Sequence, residues 1–169
     1  MSVKSTINYD LSEKLKQLNG KKVKIGIVGE SDSKLLTYAS ANEYGANIAI
    51  SDRMRKFLPR IGIFVKKETT HIVIPERSYI RSTFDNKKYL VELKKKLRIP
   101  FEEVLNNKRE PETLLEIIGL VYVANIKNTI RTMKEPENHP VTIERKGKEK
   151  GLLINSGRLV SSINYEVVA

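Results

Sequence analysis

The chain has 169 residues, of which 40% are hydrophobic and 30% charged, a balance that excludes a wholly disordered chain and suits one domain of ordinary size. Cys is absent, which excludes disulfides and thiolate metal sites; with neither a secretory leader nor a membrane-length apolar run read from the sequence, a soluble protein of a reducing cytosol is expected. Thirty-one Lys and Arg against 20 Asp and Glu give a formal charge of +11, which points to an acidic partner surface or nucleic acid.

Asp10, Glu13 and the stripe Leu11, Leu15 and Leu18 before Gly20 predict a short capped helix. Alternation of Val23, Ile25 and Ile27 with Lys22, Lys24 and Gly26 predicts a strand over Lys22 to Val28. Leu35 to Tyr44 runs without a breaker to Gly45 and predicts a helix with a glycine stop. Between Ala46 and Pro75 two apolar runs, Ile61 to Val65 and His71 to Ile74, predict a hairpin, and the whole insert reads as an arm. Asp52 to Leu58 predicts one helical turn within it, with Arg53, Arg55 and Lys56 outward and Met54 and Phe57 or Leu58 inward. Ser82 and Asp85 are placed to cap a helix striped by Leu90, Leu93 and Leu97 and ended by Pro100, its other face carrying Lys87, Lys88, Lys94, Lys95 and Lys96. The longest helix is expected from Pro111 to Met133, striped by Ile118, Tyr122, Ile126 and Ile130. Two prolines and alternating charge predict a mobile loop over Lys134 to Lys150. Asn155 or Ser156 then caps a turn through Leu159, and Ser162 to Val168 is a final strand.

The parts for catalysis are sparse. His71 and His139 stand far apart without a second ligand at metal spacing, and a histidine satisfied in a strand or loop is the favoured reading for each. Gly26 and Gly29 after a strand lack the third glycine of a dinucleotide loop, and no Walker-type phosphate loop occurs. The carboxylate pairs Glu30 with Asp32, and Glu102 with Glu103, read as solvated acids near helix starts. Catalytic, cofactor-binding and metal-binding residues are therefore expected to be absent. The basic clusters remain: Arg53, Arg55, Lys56, Arg60, Lys66 and Lys67; the lysine-rich helix face; and Arg145, Lys146, Lys148 and Lys150. They read as solvated faces, or surfaces matched to acidic protein partners, rather than nucleic-acid contacts, because aromatics are 7% of the chain without Trp and are not interleaved with the basic runs as stacking platforms, and no helix-turn-helix, zinc-finger or RNA-recognition signature accompanies them.

Three stretches together carry a resemblance: Asn42-Glu43-Tyr44-Gly45; Ile74-Pro75-Glu76-Arg77-Ser78-Tyr79-Ile80-Arg81; and Leu153 to Val167, with Asn155-Ser156-Gly157-Arg158-Leu159 and Ser162-Ile163. In this order, from Lys22 to Val168, the chain resembles the tail-completion or neck proteins of long-tailed bacteriophages, also labelled virion morphogenesis or minor tail proteins. Asn155 stands where that family usually has Asp and Tyr79 where it has Phe, and the insert resembles the variant with a Met-Arg-x-Phe-Leu segment, here Met54 to Leu58.

One α+β domain over 1–169 is expected: a small, mostly antiparallel sheet made of the first strand, the hairpin and the last strand, two longer helices packed on it, a hairpin arm at 46–75 and the loop at 134–150. The resemblance implies a non-enzymatic virion protein made in the host cytoplasm and acting at the neck, with copies of itself in a ring and neighbouring neck and tail proteins as partners. DNA is expected at most by non-specific contact, and no membrane. Arg77, Arg81, Arg145, Lys146, Lys148 and Lys150 are the candidate contacts, with intramolecular acids and a neighbouring subunit equally open as partners of the two arginines. A basic nucleic-acid-binding protein is the alternative reading.

Overall fold

The computed structural model describes residues 12–14, 16–29, 32–147 and 149–169. Asp10, Leu11 and Leu15 of the first expected helix, and also Glu30 and Lys148, lie outside the described residues. In chain order the elements are β1 (Lys22–Ile27), α1 (Ser33–Tyr44), β2 (Ala46–Ala49), α2 (Asp52–Phe57) with a 3-10 turn (Leu58–Ile61), β3 (His71–Ile74), α3 (Arg81–Asp85), α4 (Lys87–Leu105), α5 (Glu112–Thr132), α6 (Pro140–Lys146), α7 (Arg158–Ser162) and β4 (Ile163–Val168). The fold is α+β, as the sequence indicates.

The described residues form two compact units interleaved in sequence, one of residues up to Gly29, Thr83–Ile126 and Ser162–Ala169, the other of residues after Gly29 up to Ser82 and Lys127–Ser161. In the first unit β1 and β4 pair antiparallel from Lys22 opposite Val168 to Ile27 opposite Ile163. The apolar alternation of β1 turns Ile25 toward a core of Leu93, Leu97, Ile117, Ile118, Val121 and Tyr122, so the two longest helices, α4 and α5, meet on that strand. Phe84 stacks on Tyr122 with ring centroids 4.3 Å apart. Lys21 pairs with Glu112, and Lys14 donates to the Leu105 carbonyl.

Gly119 of α5 is required by a close approach: a Cβ there would stand 2.2 Å from Cδ2 of the Tyr165 ring, whose hydroxyl donates to Glu116. Alanine would gain about 1 kcal/mol of helix propensity but force the ring aside at about 1–3 kcal/mol. Gly119→Ala is therefore expected to destabilise by about 1 kcal/mol in urea unfolding, and to stabilise instead in a Tyr165→Ala background; the same sign in both backgrounds would refute the contact.

In the second unit α1 starts at Asp32, whose side chain accepts from the Lys34 N–H, and stops at Gly45, with φ of 72°. Strands β2 and β3 pair antiparallel from Ala46 opposite Ile74 to Ala49 opposite His71. Buried Leu58, Tyr79, Ile130, Leu153 and Leu159 supply its apolar interior.

The structure corrects several expectations. The described strands form two separate two-stranded sheets, not one. The partner of His71–Ile74 is Ala46–Ala49, not Ile61 to Val65. Those residues follow the 3-10 turn: the Ile63 N–H donates to the Leu58 carbonyl, while both terminal nitrogens of Arg55 hold the carbonyls of Lys66 and Thr69. Arg55 is thus turned inward onto its own loop, and of the two inward candidates Leu58 is buried whereas Phe57 is exposed. Asn86, not Ser82 or Asp85, caps α4, its side chain accepting from the Lys88 N–H.

Pro100 lies inside α4 and does not end it. Proline removes one helix hydrogen bond there, and the stripe continuing from buried Leu93 to buried Val104 outweighs that loss. The segment 134–150 is not simply a loop, since His139 and Pro140 start α6, the His139 ring nitrogen accepting from the Val141 N–H. By length and composition α5 matches a membrane span, contrary to the sequence reading, yet its Val121, Tyr122, Ile126 and Ile130 are buried within the fold.

Candidate functional site

The first two stretches of the resemblance meet in the second unit. Glu43, at the end of α1 and 3% exposed, directs its carboxylate at the chain entering α3. Oε2 accepts from the N–H groups of Tyr79 at 2.8 Å and Ile80 at 2.9 Å; Oε1 accepts from the Arg81 N–H at 3.0 Å and from the Ser78 hydroxyl and Arg81 Nε, each at 3.2 Å. These N–H groups are ones a helix start leaves without helical partners, so one buried acid stands in for a missing turn of backbone acceptors.

Arg81 closes the arrangement from outside. It donates to the Glu43 carbonyl at 2.7 Å and to Glu76 at 2.8 Å, and its guanidinium lies 4.6 Å from the centre of the Tyr44 ring. Gly45 permits the close approach of the two stretches, since a Cβ there would come 3.1 Å from the Ile74 carbonyl and 3.2 Å from the Glu76 nitrogen. Tyr79, 1% exposed, donates its hydroxyl to the Ala39 carbonyl, and burial raises its pKa well above the ordinary tyrosine value.

Arg77 is 5% exposed. Its partners are carbonyls and an amide, not acids: Nε donates to Pro136 O and Nη2 to Glu137 O, both at 2.9 Å, and Nη1 faces Asn42 Oδ1 at 3.4 Å. Burial lowers its pKa, an effect that nearby Tyr38 partly opposes. The Arg77 N–H also donates to the Asn42 carbonyl at 2.7 Å, and the Asn42 amide donates back to Tyr38 O. Both sequence-flagged arginines are thus used within the chain, Arg77 to hold 136–137 and Arg81 to hold Glu43 and Glu76.

The third stretch joins the other end of α1. Arg158 donates to Asp32 at 2.9 Å, and Asp32 is held below the usual carboxylate range first by the Lys34 N–H and then by Arg158. Two clefts flank Tyr38, one of about 210 Å³ beside Lys34 and Arg158, the other of about 360 Å³ beside Arg145 and Lys146; Asn155 borders both. Lys146 donates to the carbonyls of Gly151 at 2.7 Å and Leu152 at 2.8 Å, and burial, then Arg77 and Lys150, lower its pKa. Asn138 donates to the same Leu152 carbonyl. Arg145 and Lys150 remain exposed.

Sequence reasoning missed Glu43 as the organising group, although an acid two residues before the helix-stop Gly45, and four past the buried Ala39 on the same helix face, was its trace. The other acid pair is split between partners, Glu102 facing Arg98 and Glu103 facing Arg109. His71 Nδ1 lies 2.9 Å from the Thr70 hydroxyl. Among the described residues no three His, Asp or Glu side chains gather where one metal ion could be held. Comparison of the chain with protein-family models, with curated proteins and with solved structures finds no match.

Proposed function

We propose that the protein is a non-enzymatic structural component of a bacteriophage particle, acting in tail completion and head–tail joining as one subunit of a ring at the neck. The observation that supports this reading most is the convergence on α1 of the residues that carry the resemblance. Glu43 ties the first stretch to the second, and Asp32 ties the helix start to Arg158 of the third. Residues scattered over 32–158 brace the two ends of α1, which is what a part that must present a fixed surface to neighbours requires.

Surface complementarity is the mechanism this scaffold serves. Exposed Arg145 and Lys150, and the cleft beside Tyr38, offer charge-assisted contacts to neighbouring neck or tail proteins, while Arg77 and Arg81 act from within by fixing the backbone that carries them. A ring of copies follows from a heterologous contact whose rotation closes. A site in the virion and the absence of any membrane partner belong to the same reading.

Electron microscopy of lysates from a genome lacking this gene tests it. Finished tails and separate filled heads are expected, with joining restored by adding the purified protein. Joined, infectious particles in the deletion would end the proposal.

A further inference from the structure

Between β2 and β3 the chain builds a closed excursion. Its base is held by the Ile50 N–H on the Thr70 carbonyl at 2.8 Å, its middle by Arg55 on the carbonyls of Lys66 and Thr69, and its far turn by Ile63 N–H on Leu58 O. Leu58, 6% exposed, anchors it. The backbone is ordered by its own bonds, which leaves the remaining side chains free for other work.

Those side chains are of two kinds. Arg53, Lys56, Arg60, Lys66 and Lys67 are exposed, and none pairs with a described acid, although Asp52 and Glu68 lie in the same segment. Phe57 is 53% exposed and Phe64 82% exposed. Phe57 lies between Lys56 and Arg60 in sequence, and Phe64 just before Lys66 and Lys67. Five cations that pair with no described acid, on a protein of charge +11, suit a polyanion, and exposed rings beside them in sequence, an interleaving the sequence reading did not expect, suit one that also offers flat faces.

We infer that this segment is a nucleic-acid contact that reads no sequence: Arg53, Lys56, Arg60, Lys66 and Lys67 take phosphates, and Phe57 and Phe64 stack on unpaired bases. The chemistry of a single strand accounts for both kinds of side chain at once. Phosphates release counterions to the cations, and every base presents a π-face whatever its identity. A duplex would satisfy the cations alone and leave the rings in water.

Fluorescence anisotropy on the full chain tests this, using labelled oligo(dT) of about 20 nucleotides, a duplex of similar length and polyglutamate as competitor, at about 50 mM salt. Oligo(dT) should bind more tightly than the duplex. Phe64→Ser should weaken oligo(dT) by at least about fivefold and the duplex by less than about twofold, since stacking on a ring is available only to unpaired bases. Arg60→Ala with Lys66→Ala should weaken both, and lower the slope of log affinity against log salt for oligo(dT) by roughly 1.4, at about 0.7 per phosphate contact. Lys94→Ala with Lys95→Ala, exposed on α4, should change either affinity by less than about twofold. All these positions are exposed, so the variants should fold, as circular dichroism will show.

An unaffected oligo(dT) affinity in Phe64→Ser, an equal loss in the α4 variant, or polyglutamate competing as well as unlabelled oligo(dT) would each overturn the inference. The last outcome would assign the segment to an acidic protein instead. The measurement uses the isolated protein, so its failure leaves head–tail joining to be judged by the particle experiment.

Discussion

Glu43→Ala should cost about 4 kcal/mol of folding stability, read as a shift in the urea midpoint by far-UV circular dichroism, the chain having no Trp. The carboxylate accepts from three backbone N–H groups, and those of Tyr79 and Ile80 are the two less open to water, Tyr79 being buried and Ile80 half-buried while Arg81 is exposed. Each buried donor left without an acceptor costs about 1–3 kcal/mol, so two dominate the total. The Ser78 hydroxyl and the Arg81 guanidinium add little, because Ser78 can rotate and Arg81, half in water, keeps Glu76. Glu43→Gln keeps one acceptor oxygen and turns an NH₂ toward donors, and about half the loss, about 2 kcal/mol, is expected. A Glu43→Ala protein within 1 kcal/mol of wild type would mean that water takes over the three donors and that the convergence of the two stretches is incidental.

The parts of the fold legible in sequence are those whose signal is local. β1, β4 and α5 each carry an apolar period matched to their own geometry, and Gly45 and Pro111 mark an end of α1 and of α5; α1 itself is legible from its lack of a breaker, since it buries Ala39, Asn42 and Glu43 and leaves Leu36, Tyr38 and Tyr44 exposed. What failed was decided by distant partners. Ala46-Asn47-Ile48-Ala49 has little intrinsic strand preference and becomes β2 because Gly45 brings the chain against Ile74 and Glu76. The more strand-like Ile61 to Val65 loses that pairing because its surroundings are taken by the 3-10 turn and by Arg55. Pro100 was read as a stop on a rule about isolated helices, whereas burial on both sides of it decides the outcome. The motif residues of the candidate site were legible as a set, but their roles were not. Charge near a proline turn says nothing of burial, so the sequence leaves Arg77 and Arg81 equally open to an intramolecular acid and to a neighbouring subunit, while the structure spends Arg77 on the carbonyls at 136–137 and Arg81 on Glu43 and Glu76.

Order in 134–150 has its source in those long-range bonds, and Arg77→Ala exposes it. The segment has few apolar residues of its own; Arg77 holds its carbonyls at Pro136 and Glu137, and its own Asn138 and Lys146 reach out to the carbonyls of Leu152 and of Gly151 and Leu152. Removing the guanidinium deletes two charge-assisted bonds, worth about 1.5–3 kcal/mol each. Part of that is returned, because the carbonyls of exposed Pro136 and Glu137 can turn to water and because the desolvation that lowers the Arg77 pKa disappears with the charge. A net loss of about 2 kcal/mol is left, concentrated in local opening of this segment. Opening is then roughly 30-fold more frequent, and trypsin at low concentration should cut within Arg145 to Lys150 faster by about that factor, while the α5 core stays intact. Arg77→Lys, which can hold one carbonyl at a time, should fall between the two. Lys146 supplies an internal check: its ammonium is engaged with two carbonyls in the closed state, so cleavage after it should accelerate more than cleavage after exposed Arg145. Equal cutting rates in wild type and Arg77→Ala would mean that the segment opens without regard to Arg77, and the anchoring role argued for this residue would fall.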